Sequence, residues 1–341
     1  MNVKGSKLLN IKFLPAFNGD CILITTDKFN ILIDGGTQKT YSLSLRKALE
    51  EVNQLDLVIL THIDSDHIMG LIELFKDNKT VVKKVWFNSL GKLSQLFDEQ
   101  YNKQIEYSTN DKSKNISPKQ GESLEDILIK LGIEYELIYI EKQQEYTFEG
   151  LEITLLSPYK ENLKALYLYW KDNIKIRKDL ESEKLASKTN ESSIAFLLTY
   201  KKEKKYLFLA DAEIDVISNS IKELYPNRLD VEFVKVSHHG SKNNINQDFL
   251  DVIDSNQFVI LTNGKAKNCH PDKEALDTII LDAKQRNKNI SIFFNYPKTT
   301  YRKKYFQSKE LEKDSAFKLV FPKNLKSKLV YTDTKGFKNG M

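Results

Sequence analysis

A chain of 341 residues with 40% apolar content is long enough to bury a large core, as one elaborated domain or two small ones. No run approaches the ~18 apolar residues of a membrane-spanning helix, Ile11 to Pro15 is too short an apolar run for a signal peptide, and Cys21 and Cys269 form no metal-type or redox-type pair; we therefore expect a cytoplasmic protein without a membrane partner. The formal charge of +5 is uneven: from Pro297 onward twelve Lys or Arg face four Asp or Glu, which leaves the remainder at about −3 and suggests an anionic partner at the basic end.

In chain order, Leu8 to Leu14, Asp20 to Thr26 and Phe29 to Ile33 read as three strands with short turns, a meander that opens a sheet. The third runs into Asp34-Gly35-Gly36, where glycine permits a tight turn. Tyr41 to Val52 has helical spacing, and Leu55 to Leu60 is an apolar strand leading directly into Thr61-His62-Ile63-Asp64-Ser65-Asp66-His67-Ile68-Met69-Gly70. Imidazoles and carboxylates are what divalent transition metals take from proteins, and His62, Asp64, Asp66 and His67 fall within six positions, half of a metal site. On a turn leaving a strand, residues i and i+2 point together while i+4 and i+5 reach a neighbouring spot. That spacing suits two metals side by side, His62 and Asp64 on one, Asp66 and His67 on the other. A helix cap would need one acid and leaves both histidines unexplained.

This motif, His62-x-Asp64-x-Asp66-His67 with Thr61 before it and Gly70 after it, resembles that of metallo-β-lactamase-fold hydrolases. More narrowly it resembles the variant with Asp in place of the second His, found in the soluble hydrolase domain of the competence protein ComEC and in phosphorylcholine esterases. The resemblance implies an α/β fold, a four-layer αββα sandwich, and a dinuclear hydrolytic centre with a bridging hydroxide. It also implies that Asp34 braces the metal loop through hydrogen bonds without ligating. Asn18-Gly19-Asp20-Cys21 resembles the Gly-Asp turn of the same group, with Phe17 where the competence proteins carry a further glycine.

Beyond the loop, Ile68 to Phe75 continues as a helix and Lys83 to Phe87 as a strand, with helices predicted at Gly91 to Gln100 and Ser123 to Leu131. Tyr101 to Gln120 is polar and reads as a loop, and Glu134 to Ile140, Tyr146 to Glu149 and Leu151 to Ser157 restore strand patterns. Pro158 to Lys188 reads as a charged helical insertion whose stripe of Leu163, Leu166, Tyr167, Trp170 and Ile174 has the spacing of packing, or of a lid. Asn190-Glu191-Ser192-Ser193 then enters a strand, Ile194 to Tyr200; Asn190 or Ser193 is a candidate to hydrogen-bond a water or substrate oxygen, and a turn role competes. Tyr206 to Ala210 ends in Asp211, an acid at the end of a buried strand that needs charged partners, and by resemblance the bridge between two metals.

Val231 to Val236 delivers Ser237-His238-His239-Gly240-Ser241. By resemblance His239 is the ligand and His238 the substrate contact, although alternation along the strand does not choose between them. His270, after the strand Phe258 to Thr262 and before Pro271, would suit a phosphate oxygen or a leaving alkoxide if cationic or proton-donating. A helix at Ala275 to Ala283 and a strand at Ile290 to Phe294 follow. Tyr301-Arg302-Lys303-Lys304-Tyr305-Phe306 interleaves aromatics with cations, as a single-strand grip or as a solvated Lys-rich surface. Phe317 to Phe321 and Lys328 to Tyr331 read as a final hairpin.

We thus expect a hydrolase domain over 1–296, with the insertion at 158–189, and a basic C-terminal extension over 297–341 packed on it. The expected metal ligands are His62, Asp64, Asp66, His67, Asp211 and His239, with Asp66, His238, Asn190 and His270 in catalysis and Asp34 as support. Arg302, Lys303 and Lys304 are the nucleic-acid candidates. Three carboxylates make the site richer in oxygen than a three-His centre, so Mn²⁺ rivals Zn²⁺ as the pair of ions held. The leading reading is a phosphodiesterase, a nuclease on DNA. A hydrolase of small phosphodiesters or lactones and a metal-stabilised scaffold in a larger assembly are the alternatives.

Overall fold

The computed structural model describes residues 8–97, 117–175, 182–265, 270–301, 306, 316–326 and 328–339. Its two halves repeat one plan, an antiparallel meander followed by parallel strands. In the first, β1 (Asn10–Phe13), β2 (Ile22–Thr25) and β3 (Asn30–Ile33) pair antiparallel, with Ile22 opposite Ile33. After the short β4 (Gln54–Leu55), strand β5 (Leu57–Ile59) pairs parallel to β3; β6 (Val81–Val82) pairs with β4, and β7 (Lys84–Trp86) and β8 (Glu134–Glu136) complete the parallel run. In the second, β9 (Glu145–Phe148), β10 (Leu151–Ser157), β11 (Ala195–Tyr200) and β12 (Lys204–Phe208) form the meander. Past β13 (Leu229–Asp230), strand β14 (Phe233–Lys235) lies parallel to β12; β15 (Ile253–Asp254) pairs with β13, and β16 (Gln257–Ile260), β17 (Ile290–Phe294) and β18 (Phe317–Val320) follow in parallel. The chain then returns to the first sheet, where β19 (Leu329–Thr332) pairs with β1 and with β20 (Gly336–Asn339).

Alternation along these strands builds four layers. Side chains of successive residues point to opposite faces, so Ile22 and Ile24 of β2 meet Phe196, Leu198 and Phe208 of the second sheet in a core between the sheets. Leu23, Leu32 and Val58 point the other way and pack with Leu71, Leu74, Leu90 and Leu124 from the helices Ser65–Asp77, Leu90–Phe97 and Ser117–Leu131. On the far side, Leu197, Leu207 and Val234 pack with Ile217, Phe249 and Ile279 from Ile214–Leu224, Gln247–Val252 and Lys273–Gln285. Strands buried on both faces explain the near-continuous apolar runs, and the arrangement is the expected αββα sandwich.

Several local expectations are corrected. Phe317 to Phe321 and Lys328 to Tyr331 do not pair as a hairpin: β18 joins the second sheet and β19 the first, because each sheet has an edge strand left to cover. The strand expected to Ile140 ends at Glu136, and Ser117 to Gln120 open a helix; the rest of that polar stretch, 101–116, lies outside the described residues. The insertion is two helices, Lys160–Lys175 and Ser182–Glu191, the second of which takes in Asn190. Its stripe is packing, since Leu163, Leu166, Tyr167 and Trp170 join the helix-side core of the first sheet; the Ile174 side chain is outside the described residues. Tyr301 and Phe306, for which a grip on bases or a solvated surface was expected, are 2% and 1% exposed and pack edge-on against Phe294 and Phe321, so they are core. Arg302, Lys303 and Lys304 fall outside the described residues.

Candidate metal centre

The site forms where parallel strands end, the place at which open α/β sheets gather function. The acid that follows β3 is Asp34, at φ 55, and β12 leads to Asp211 through Leu209 and Ala210, the latter at φ 47. β5 leads to His62 and the helix carrying Asp66 and His67, and β14 to His238 and His239. Close backbone approach holds these ends together. A Cβ on Gly70 would lie 1.8 Å from Gly35 O, and one on Gly19 would lie 1.6 Å from Asp66 O, so both contacts require glycine.

Asp34 is fully buried and makes three bonds: Thr61 N and Oγ1 donate to its two oxygens at 2.8 and 2.7 Å, and His67 Nδ1–H donates to Oδ2 at 2.8 Å. Because the Thr61 hydroxyl proton is committed to Asp34, its oxygen is left to accept from His62 Nδ1 at 3.1 Å. His239 Nδ1–H donates to Leu261 O at 2.9 Å, and His238 Nδ1 lies 3.2 Å from Asn244 Oδ1, whose amide nitrogen is already directed at Ala212 O. These partners assign one tautomer to all four rings, with the proton on Nδ1 and the Nε2 lone pair turned inward, as metal-ligating histidines require.

The four Nε2 atoms converge on one oxygen. Asp211 Oδ2 lies 3.9 Å from His62, 3.6 Å from His67, 3.9 Å from His238 and 3.5 Å from His239. Asp64 Oδ2 is 3.8 Å from His62 Nε2, and Asp66 Oδ2 is 4.0 Å from His239 Nε2. Nε2 of His62, His67 and His239 are buried without a hydrogen-bond partner, which is costly unless a cation meets them. The ligand atoms of His62, His67 and Asp211 lie within 4.8 Å of one another, as do those of Asp66, His67 and His239. Spacings of 3.5–4 Å across a donor set of imidazoles and carboxylates fit divalent ions between them.

The electrostatics point the same way. Burial pulls the His239 imidazolium down, but Asp211 and Asp20 outweigh it and lift the group to about 10. His67 is likewise lifted by Asp211 and Asp34 against burial. Burial raises the Asp211 carboxyl, yet the surrounding imidazoles dominate and hold it well below the usual carboxylate range. Burial and the adjacent Asp66 push Asp64 up to about 7, against a hydrogen bond from Thr189. A ligating imidazole must give up its Nε2 proton, so the raised values of His67 and His239 couple metal binding to proton release.

Some roles follow from geometry that no local pattern reveals. Thr189, from the second insertion helix, donates to Asp64 Oδ1 at 2.8 Å and leaves Oδ2 facing His62; Asp64 sits at the cap position of Ser65–Asp77 but caps nothing with its side chain. Asn18 donates to Asp66 Oδ2 at 2.6 Å. Asn190 and Ser193, the sequence candidates in this stretch, carry Oδ1 and Oγ atoms buried without a partner, so the established contact to the loop is their neighbour Thr189. His270 packs beside His238, ring centroids 5.4 Å apart, with Nδ1 3.3 Å from Asp272 Oδ2. Burial and His238 push it down to about 4. Lys235 and Asp20 form a buried ion pair beneath the site. A lysine at an inward-facing position of an apolar strand is the signal that could have found it.

No curated protein matches the chain at a significant level. Similar solved structures include the metallo-beta-lactamase fold protein YhfI from Bacillus subtilis, at 12% identity and TM-score 0.43 over 96% of this chain and 99% of that one. Igni18, a metallo hydrolase from the archaeon Ignicoccus hospitalis, has 13% identity and TM-score 0.43 over 95% and 98%. A diphosphatase of the PhnP family has 12% identity and TM-score 0.41 over 95% and 97%. The family model described as Metallo-beta-lactamase superfamily matches residues 14–105. The stretch that carries the Asp34 turn and the His62–His67 loop is thus a match to the Metallo-beta-lactamase superfamily.

Proposed function

We propose that the chain is a metal-dependent hydrolase with a dinuclear centre, acting on phosphodiesters and, most specifically, a nuclease on DNA in the cytoplasm. The observation that carries this reading is the convergence of four Nε2 atoms on Asp211 Oδ2. His62, Asp64 and Asp211 would hold one divalent ion, and Asp66, His67, His239 and Asp211 the other, with Zn²⁺ or Mn²⁺ suiting the donors. Bound there, the pair supplies Lewis acidity to a phosphoryl oxygen and lowers the pKa of a water toward neutrality.

The residues divide the remaining work. Asp211 is shared because its Oδ2 faces all four rings. Asp66, tethered by Asn18, is placed to orient the attacking water. The His238 side chain is 28% exposed against 5% for His239, which favours His239 as ligand and His238 as the contact to a substrate oxygen. His270, beside His238, would donate a hydrogen bond toward the leaving oxygen, with Asn190 at the edge of the site. The preference for DNA rests on the basic end and on the narrower resemblance to the competence-type domain, and no helix among the described residues is long and apolar enough to cross a membrane.

Hydrolysis of labelled single- and double-stranded DNA by metal-stripped protein, reloaded with Mn²⁺ or Zn²⁺, tests this beside an Asp64→Ala, His67→Ala variant. Metal-dependent cutting lost in the variant is expected. Intact DNA together with cleavage of bis-p-nitrophenyl phosphate would keep the centre and replace the substrate.

A further inference from the structure

We infer that the buried Lys235–Asp20 ion pair is a positioning device that fixes Asp211 and His239 before any cation binds. The inference rests on the dinuclear reading above. Both residues are 1% exposed, and Lys235 shares with Phe233 the face of β14 that looks between the sheets. A buried ion pair is seldom a net gain over apolar residues of the same size, so its place in this core is not explained by stability. Its contacts explain it better.

Besides its bond to Asp20, the Lys235 ammonium donates to Ala210 O at 3.0 Å and lies 4.0 Å from Asp211 Oδ1. Ala210 is in the left-handed region, φ 47, and immediately precedes Asp211; its carbonyl also accepts from His238 N at 3.0 Å. A strained residue persists where its surroundings hold it, and both the Lys235 ammonium and the His238 amide hold this one. The ammonium also attracts Oδ1, which leaves Oδ2 for the rings. Asp20 acts on the other side: its Oδ1, which makes no hydrogen bond, lies 3.5 Å from His239 Nδ1 and attracts by charge the ring that Leu261 O already holds. One ion pair therefore touches the shared carboxylate, its backbone kink and a candidate ligand of the second ion, and it joins the Gly19-Asp20 turn of the first half to β14 of the second.

The test separates positioning from folding. Metal-stripped wild type, Lys235→Met and the double variant Asp20→Asn, Lys235→Met are titrated with Co²⁺ and Zn²⁺, reading stoichiometry, affinity and the Co²⁺ absorption spectrum, and the stripped proteins are melted. The single variant should melt early, because it strands a buried carboxylate. The double variant should recover the melting temperature of wild type yet bind the ions about 10- to 100-fold more weakly, the usual loss for a group that orients ligands, with an altered Co²⁺ spectrum. Recovery of both stability and wild-type affinity would overturn the inference and leave the dinuclear reading standing. Wild type that takes up no cation would overturn that reading and the inference with it. Should the double variant not fold, the ¹⁵N resonance of the Lys235 ammonium in wild type decides: slow exchange and a shift on metal loading are expected, and an unshifted, fast-exchanging signal overturns the role.

Discussion

The two halves of the molecule share a plan but divide the site unequally. In each, a meander ends in an acid, Asp34 after β3 and Asp211 after β12, and the next parallel strand, β5 or β14, delivers histidines. Asp34 turns inward and accepts from Thr61 and His67, whereas Asp211 faces the imidazoles of both halves. His67 lies between the two equivalent carboxylates, Nδ1 toward Asp34 and Nε2 toward Asp211. One half therefore gathers its candidate ligands in a single loop and turns its acid to Thr61 and His67, while the other places its acid against the rings of both halves, beside the adjacent His238 and His239.

The largest effect should come from removing the shared acid. Asp211→Asn is expected to lower hydrolysis about 1,000-fold, the several kcal/mol of metal assistance at about 1.4 kcal/mol per tenfold. Asp34→Asn should act at one remove, through His67, and steady-state kinetics on both variants compares the acids directly. If Asp34→Asn is the more damaging, the division of labour is reversed. Thr189→Val removes the bond that orients Asp64 and should weaken metal binding about 10- to 100-fold, with Thr189→Ser close to wild type, read by chelator competition.

Legibility follows the same division. The first-half loop is readable because four candidate ligands fall within six positions, and the strands because their apolar residues alternate between two cores. Thr189 with Asp64 and Lys235 with Asp20 are not readable, since each pair joins residues far apart in sequence that meet only once the sheets and insertion have packed. Alternation fails to choose between His238 and His239 because both are left-handed, φ 45 and 56, so neither follows the pleat of β14. Tyr301 and Phe306 are not readable either, because an aromatic beside lysines looks the same in sequence whether it stacks on bases, lies on a solvated surface or fills the core.

Two smaller effects concern the frame. Gly70→Ala would drive a Cβ into the Gly35 carbonyl and should cost about 1–3 kcal/mol by overpacking, measured by denaturant unfolding of the metal-free protein; no loss would mean that the Asp34 turn and the metal helix are not in that contact. Burial pushes Tyr146 up to about 12 between the sheets. A raised pKa favours the protonated phenol in the fold, so its contribution is complete below the ordinary value of 10.0 and is lost as pH rises toward about 12. Melting temperatures between those limits should fall less steeply for Tyr146→Phe than for wild type.

The measurement that bears most directly on the shared centre is the number of divalent ions held per chain by wild type and by Asp211→Asn, by elemental analysis after reloading the stripped proteins with Zn²⁺ or Mn²⁺. About two per chain in wild type and a loss of both, or of all tight binding, in the variant are expected for a carboxylate common to two ions. An unchanged count in Asp211→Asn, or no bound ion in wild type, would contradict a centre built on that oxygen.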